Sequence, residues 1–366
     1  MEMPGDRLID LGEQGILASI VFPSIARSAT PEEGPGDDCA MIVVPGLDDT
    51  FLLATTDPCP RPLVFELFDA DYWHYGWMTV VINLSDIAAM GGEPAGVLIS
   101  TIMPDNMLAR DYSRFWDGIV EASEVWNCKI FGGNIKDGMK FAAEATALGW
   151  CARRTVMRRI GSSADDLVYV VGDMGLFWSA VLHGTKIPDL PLSAAESELA
   201  RRALTRPVPR IAEGKALAAS GLVTACMDAS DGVLGSLLEL GRRNQLDVHL
   251  VESAMRPSSL VEKVASRLDV SHLKLMLSWG DWQLVVTIRP ESQAAFERLT
   301  ESMGTSATLI GKMTPGCGRV LSQVMGQTRQ LANLSSERFS AQSYFMQDMM
   351  TFIDWFIQAP LLVEES

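Results

Sequence analysis

The sequence predicts an α/β protein, α/β or α+β in class, organised as two domains. Strand-like and helix-like runs alternate, most plainly in the second half, which is how an α/β or α+β sandwich reads. At 366 residues the chain is longer than one hydrophobic core usually organises. A basic run from Arg153 to Arg159 breaks the pattern near the middle and marks the expected boundary. The expected units are residues 1–152, residues 153–340, and a helical tail over 341–366.

Taken in order, residues 6–26 read as a helix with apolar Leu8, Leu11, Ile16, Ile20 and Ile25, followed by a Pro/Gly/acidic loop to Asp38. Cys39–Val44 and Phe51–Thr56 read as strands joined by a turn at Pro45–Asp49. Pro58, Pro60 and Pro62 stiffen the next stretch, where Phe65, Phe68, Tyr72, Trp73 and Tyr75 crowd together. That stretch reads as a long ordered loop or short helix, with a lid, a substrate wall and a partner contact all open. Thr79–Met90 is an apolar helix carrying Asn83 and Asp86 on one face. Gly91-Gly92 stops it, and Pro94 cannot continue it. Strand 96–103, amphipathic helix 108–126, strand 129–131 and strand 142–152 complete the first half.

The second half opens with strand 166–171, a glycine turn at 172–175 and a short helix. Helices 193–205 and 210–220 flank Pro207 and Pro209. Strand 222–227 and a helix from 232 to 243 follow. Strands 248–251, 284–288 and 306–312 then interleave with helices 258–267 and 291–303. Phe345, Met349, Phe352, Ile353 and Phe356 make the tail an amphipathic helix expected to dock on the body or on a partner.

The balance of charge narrows the function. With 30 basic and 46 acidic residues the net charge is −16, which argues against a nucleic-acid surface or an anionic membrane as main partner. No apolar run spans a membrane and no secretory leader is visible, so a cytoplasmic protein is expected. Six scattered cysteines and four unclustered histidines show no zinc or redox spacing. Any metal should be one that prefers oxygen.

Acidic residues gather at strand ends and glycine turns: Asp37-Asp38 after Gly36, Asp57 after Thr55-Thr56, Asp86, and Asp228 and Asp231 around Ser230. Each alone suits a turn or helix cap, and Asp231 is an N-cap candidate. Together they make a magnesium–nucleotide site coherent, because Mg²⁺ takes carboxylate oxygens and phosphates, and an acidic protein needs cations to admit a phosphate ligand. No P-loop and no protein-kinase motif set is present.

The ordered motifs Gly36-Asp37-Asp38-Cys39-Ala40, Thr55-Thr56-Asp57, Asn83 to Pro94, Gly132-Gly133-Asn134 and Asp228-Ala229-Ser230-Asp231-Gly232 resemble one superfamily. It is that of aminoimidazole ribonucleotide synthetase, selenophosphate synthetase and thiamine-monophosphate kinase, with the likeness strongest to the kinase. Pro207-Val208-Pro209-Arg210 and Ile310-Gly311-Lys312-Met313-Thr314 fit it as well, so the resemblance spans about residues 5–315. It implies an N-terminal α/β domain that binds ATP and metal and dimerises through its sheet, and a C-terminal α/β domain. It implies ATP and several Mg²⁺ ions as cofactors, a homodimer, and a small, phosphorylated acceptor of the γ-phosphoryl group. Asp38, Thr55, Thr56, Asp57, Asp86, Asp228 and Asp231 then look like metal ligands or near-ligands, with Asp86, Asp57 and Asp231 carrying the catalytic work. Gly133, Asn134, Arg159 and Ser230 look like nucleotide contacts, and Asp281 and Trp282 like acceptor contacts.

The sequence also departs from the kinase. Asn134 stands where the kinase has Asp, and Val64 where it has a substrate-contacting His. Ser278-Trp279-Gly280-Asp281-Trp282-Gln283-Leu284 replaces Gly-Gly-Glu-Asp-Tyr-Glu-Leu. Aromatic residues therefore crowd the acceptor half, the pattern a changed acceptor would leave. An ATP-dependent synthetase and a silent nucleotide-binding homologue are the alternatives. Residues 1–30 lack the cysteine of selenophosphate synthetase, and the tail lacks the cysteine of the hydrogenase-maturation branch.

Overall fold

The structure is a computed structural model that describes residues 7–25, 36–68, 70–324, 327–332 and 348–363. The described N-terminal segment is a bent helix, α1 (Leu8–Ile16), a π-turn over Leu17–Val21, and α2 (Phe22–Ile25). Gly12, at φ 65° and ψ 172°, breaks the continuous helix expected over 6–26. Most of the following loop, 26–35, lies outside the described residues.

The first sheet has five strands: β1 (Ala40–Val43), β2 (Thr50–Cys59), β3 (Glu93–Met103), β4 (Lys129–Asp137) and β5 (Ala142–Ala152). Their spatial order is β1-β2-β5-β3-β4, antiparallel except for β3 beside β4. Helices α3 (Leu63–Leu67), α4 (Tyr72–Ala89) and α5 (Ala109–Val125) belong with it.

The aromatic run is therefore neither one loop nor one helix. Leu63–Leu67 forms a single turn, and Tyr72, Trp73 and Tyr75 open α4, capped by the Asp71 carboxylate on the Trp73 N–H. α4 is buried on almost every side, which is why it reads as apolar all round. Gly76 and Gly118 let α4 and α5 touch backbone to backbone: a Cβ there would lie 1.9 Å from the Phe115 carbonyl oxygen and 2.0 Å from that of Trp73. The helix stops where expected, with Gly91 at φ 72°.

The second sheet has seven strands, β6 (Leu167–Val171), β7 (Val223–Asp228), β8 (Leu246–Leu250), β9 (Leu284–Ile288), β10 (Ala307–Pro315), β11 (Val320–Val324) and β12 (Gln327–Gln330), ordered β12-β11-β8-β10-β6-β9-β7. Its helices are α6 (Leu176–Lys186), α7 (Ala194–Thr205), α8 (Ile211–Ser220), α9 (Gly232–Asn244), α10 (Ser259–Leu268), α11 (His272–Leu277), α12 (Gln293–Ser302) and α13 (Met349–Gln358). The sequence did not announce α11, β11 or β12. Tail residues 341–347, Phe345 among them, lie outside the described residues.

Alternate side chains of the second sheet feed two cores. Val168, Val170, Ala225 and Met227 pack against α6, α9, α10 and α13. Tyr169, Val171, Cys226 and Val286 point the other way, into a core shared with α4 and the first sheet. α4 thus lies between the two sheets and touches β2, β5 and β7. At its far end Gly214 of α8 closes on Ala88, where a Cβ would lie 2.1 Å from the carbonyl oxygen.

Candidate active site

The polar residues of α4 each reach a different strand. Asn83 is fully buried; its Oδ1 accepts the Asp57 N–H at 3.1 Å and its Nδ2 donates to the Thr79 carbonyl at 3.0 Å. The Ser85 hydroxyl donates to Asp228 Oδ2 at 2.7 Å, joining α4 to β7. Asp86 Oδ2 accepts the Thr55 hydroxyl at 2.5 Å, joining α4 to β2. Inside a dry helix these bonds satisfy groups that would otherwise be costly to bury. The sequence sets Asn83 and Asp86 on one face, but it does not show the bridges that Asn83 and Ser85 make. The only available signal was that all three polar groups fall within one apolar turn.

Three carboxylates converge there. Asp38, Asp86 and Asp228 each offer an oxygen, and these oxygens lie within 4.8 Å of one another, all three residues being buried. Burial raises the pKa of each. For Asp86 the raise is large and is added to by Asp228, Asp57 and Asp38; Asp228 is pushed up to about 7. Asp38 also rises, although Arg159 pulls against burial by donating from Nη2 to Asp38 Oδ1 at 2.7 Å. Burial opposes the charge on Arg159 as well, but Asp38, Asp228 and Asp86 outweigh it and hold the guanidinium firmly protonated. One arginine facing three buried carboxylates leaves negative charge uncompensated. Asp38 Oδ2 is buried and finds no hydrogen-bond partner among the described residues. An all-oxygen donor set with an unused buried carboxylate oxygen fits a hard divalent cation such as Mg²⁺.

The other expected residues surround this trio. Asp57 is half-buried on β2 and close enough to Asp86 to raise it. Asp231 holds the N-cap position of α9, but its side chain makes no capping hydrogen bond, so the cap expected of it is absent. The Ser230 hydroxyl donates to Asp228 Oδ1 at 3.0 Å. Ser230, Asp231 and Arg159 open onto a cavity of about 510 Å³, walled on the other side by Leu17 and Phe22 of the N-terminal segment. Asp37 braces its entrance by accepting the Arg158 Nε–H and the Arg159 backbone N–H, each at 2.8 Å.

Thr56, Gly133 and Asn134 do not join them. Strand alternation puts Thr55 and Asp57 on the face covered by α4 and Thr56 on the opposite, outer face, where its hydroxyl donates to Glu144 at 3.1 Å. Along one row of the sheet, Asp57 pairs with Ala145, Ala145 with Ile99, and Ile99 with Gly133. Gly133 is thus three strands from Asp57, about 14 Å at the usual strand spacing. Asn134 pairs with Ser100 and shares the outer face with Thr56.

Asp281 has its oxygens engaged. It accepts the backbone N–H groups of Gly175 at 2.6 Å and Phe177 at 2.7 Å, at the start of α6. Burial nonetheless pushes it up to about 7, against those two bonds. Trp282, at φ 53°, lines a second cavity beside Val64, Phe177 and Trp279.

A two-sheet α/β fold with a buried all-oxygen site beside a cleft has the make-up of a metal-dependent small-molecule enzyme. The chain belongs to the AIR synthase related protein family, whose N-terminal domain matches residues 36–151 and C-terminal domain residues 163–322. It is similar to the thiamine-monophosphate kinase of Synechococcus elongatus, 27% identical over 314 residues, covering 84% of this chain and 90% of that protein. The crystal structure of thiamine-monophosphate kinase from Stenotrophomonas maltophilia K279a has TM-score 0.67 at 26% identity, over 81% of this chain and 93% of that one. AaThiL complexed with AMPPCP and TMP shares the fold, with TM-score 0.75 at 24% identity over 92% of this chain and 100% of that one.

Proposed function

We propose that this protein is an ATP- and Mg²⁺-dependent kinase that passes the γ-phosphoryl group of ATP to the phosphate of thiamine monophosphate, giving thiamine diphosphate and ADP. The observation that carries it is the buried Asp38–Asp86–Asp228 trio with its unused oxygen, in a chain whose curated relatives, along most of its length, are thiamine-monophosphate kinases. Asp38, Asp86 and Asp228 would hold the cation, with Asp57 and Asp231 at its open side. Mg²⁺ supplies charge neutralisation for the phosphates and lets two anions approach each other. Arg159, Ser230 and Asp231 face the large cleft, where a nucleotide would present its phosphates to them. Asn83 holds the Asp57 backbone and Thr55 the Asp86 carboxylate, so the strand position of the one and the side chain of the other are set before any ligand arrives.

We infer a homodimer from the outer face of the first sheet. Leu98, Ile102, Trp150 and Ile42 expose apolar surface on the outer face of the first sheet, beside Thr56 and Asn134. A homodimer packed on that face would cover it and would carry Asn134 and Thr56 into the interface. Within the described residues no helix is long and apolar enough to cross a membrane.

The test is incubation with ATP, Mg²⁺ and thiamine monophosphate. ADP should form only when all three are present; ADP formation indifferent to thiamine monophosphate would defeat the reading.

A further inference from the structure

β2 runs past Asp57 into Pro60–Val64, and β9 begins at Leu284, which pairs with Asp228. The residues just before β9 are Trp279–Trp282. One segment therefore leaves the Asp57 strand and the other enters β9 beside Asp228 of β7, and both line a cavity of about 50 Å³ with Pro62, Val64, Phe177, Trp279 and Trp282. Under the kinase reading, on which this inference rests, these side chains would form one wall of the acceptor site.

Trp279 leans on a stack that ends in the C-terminal tail. Its ring meets Trp178 edge-on, centroids 5.2 Å apart at 83°. Trp178 is wholly buried, with its Nε1 lacking a hydrogen-bond partner among the described residues. The same indole stacks on Phe356 of α13 at 4.0 Å and 20°. α13 is held in turn by Lys274 of α11. The Nζ of this buried lysine donates to the carbonyls of Phe356 at 3.0 Å, Ile357 at 2.9 Å and Ala359 at 2.5 Å, where the helix runs out of its own donors. Burying an ammonium is costly, so apolar cover alone does not account for this arrangement. The latch fixes the height and rotation of α13, and hence where Phe356 meets Trp178.

We propose that α13 is a positioning element for the acceptor: Lys274 latches it, and Phe356, acting through Trp178, sets the orientation of Trp279 in the acceptor wall. Neither Lys274 nor Phe356 touches the carboxylates or the large cleft. The acceptor should feel their loss and the nucleotide should not.

The experiment uses Phe356→Ala and Lys274→Met in the full chain, with thermal melts as a folding check and thiamine monophosphate as the probe. The KM for thiamine monophosphate should rise about fivefold or more while the KM for Mg-ATP and kcat stay within about twofold. An unchanged acceptor KM, or an equal rise in both KM values, overturns the proposal. Should Lys274→Met not fold, Phe356→Leu keeps most of the side-chain volume, removes only the ring stack and carries the test. Absence of turnover in the parent chain would defeat the kinase reading and leave the coupling to ¹⁹F NMR of 5-fluorotryptophan protein, with Trp279 assigned through Trp279→Phe. A Trp279 resonance that moves or broadens in Phe356→Ala upholds the coupling, and one that stays in place overturns it.

Discussion

At Asp86 two demands meet. Its carboxylate is buried beside Asp228 and Asp38, so the ionised form is strained without a cation. Asn in its place keeps an oxygen for the Thr55 hydroxyl and removes one charge from the cluster. Asp86→Asn should therefore raise the metal-free melting temperature, shrink the further rise on adding Mg²⁺, and cut kcat at least a hundredfold, about 2.7 kcal/mol. Differential scanning fluorimetry with and without Mg²⁺, beside a turnover assay, reads all three. A metal-free melting temperature that falls would mark Asp86 as a structural residue. The aspartates were legible in the sequence because each sits in a short motif with glycine or serine beside it. Ser85 and Asn83 were not legible as bridges. A bond from Ser85 to a residue 143 positions away leaves no local pattern, and only the fold brings Asp228 to it. Likewise Asp281 stood in a recognisable motif, but its commitment to the α6 backbone depends on a turn 104 to 106 residues upstream.

Among the elements, β8 shows how a single carboxylate can pin a segment the sequence did not announce. Asp247 Oδ1 accepts the backbone N–H groups of Cys317, Gly318 and Arg319, and Oδ2 takes the Arg319 guanidinium at 3.0 and 2.5 Å. These bonds shape the turn that delivers β11 alongside β8. Burial alone would raise Asp247, but the Arg319 bonds and the backbone N–H groups prevail and bring it down to about 2. A group lowered on folding binds fewer protons in the native state than in the unfolded one. Its stabilisation is fully present above about pH 4 and is lost as pH falls through 2. With half-exposed Arg319 discounted for solvent screening, that is about 1–2 kcal/mol. Asp247→Asn should lower the melting temperature at pH 7 by a few degrees and flatten the acid limb between pH 4 and 2 in a denaturation series. An unaltered acid limb would contradict it. Elements with strong periodicity, such as α5 and β9, were legible from the residues alone. α11, β11 and β12 are short and borrow their stability from tertiary contacts, Lys274 to the tail and Asp247 to its turn, so propensity says little about them. The start of α4 was misplaced because aromatic residues after three prolines look like a wall; only the α5 packing makes them helical.

For the whole molecule, the homodimer reading rests on the outer face of the first sheet. All of β4 is exposed, and Leu98, Ile102 and Trp150 stand on one surface. The homodimer reading predicts a particle of twice the 39.9 kDa chain in sedimentation, and conversion to monomer by Leu98→Lys. A parent chain that sediments at the single-chain mass would remove the dimer from the account. The α/β character of the second half was legible from alternation, whereas the placement of α4 between the sheets was not, because an all-round apolar helix does not say what covers it.

The claim that joins these scales is phosphoryl transfer to thiamine monophosphate at the Asp38–Asp86–Asp228 site. Identifying the product tests it most directly, by following ATP, Mg²⁺ and thiamine monophosphate with the protein by ³¹P NMR. The account predicts that the γ-phosphate signal of ATP declines as the paired signals of ADP and thiamine diphosphate grow in equal measure. Release of inorganic phosphate in place of thiamine diphosphate, or no loss of the γ-phosphate signal in folded protein, would contradict it.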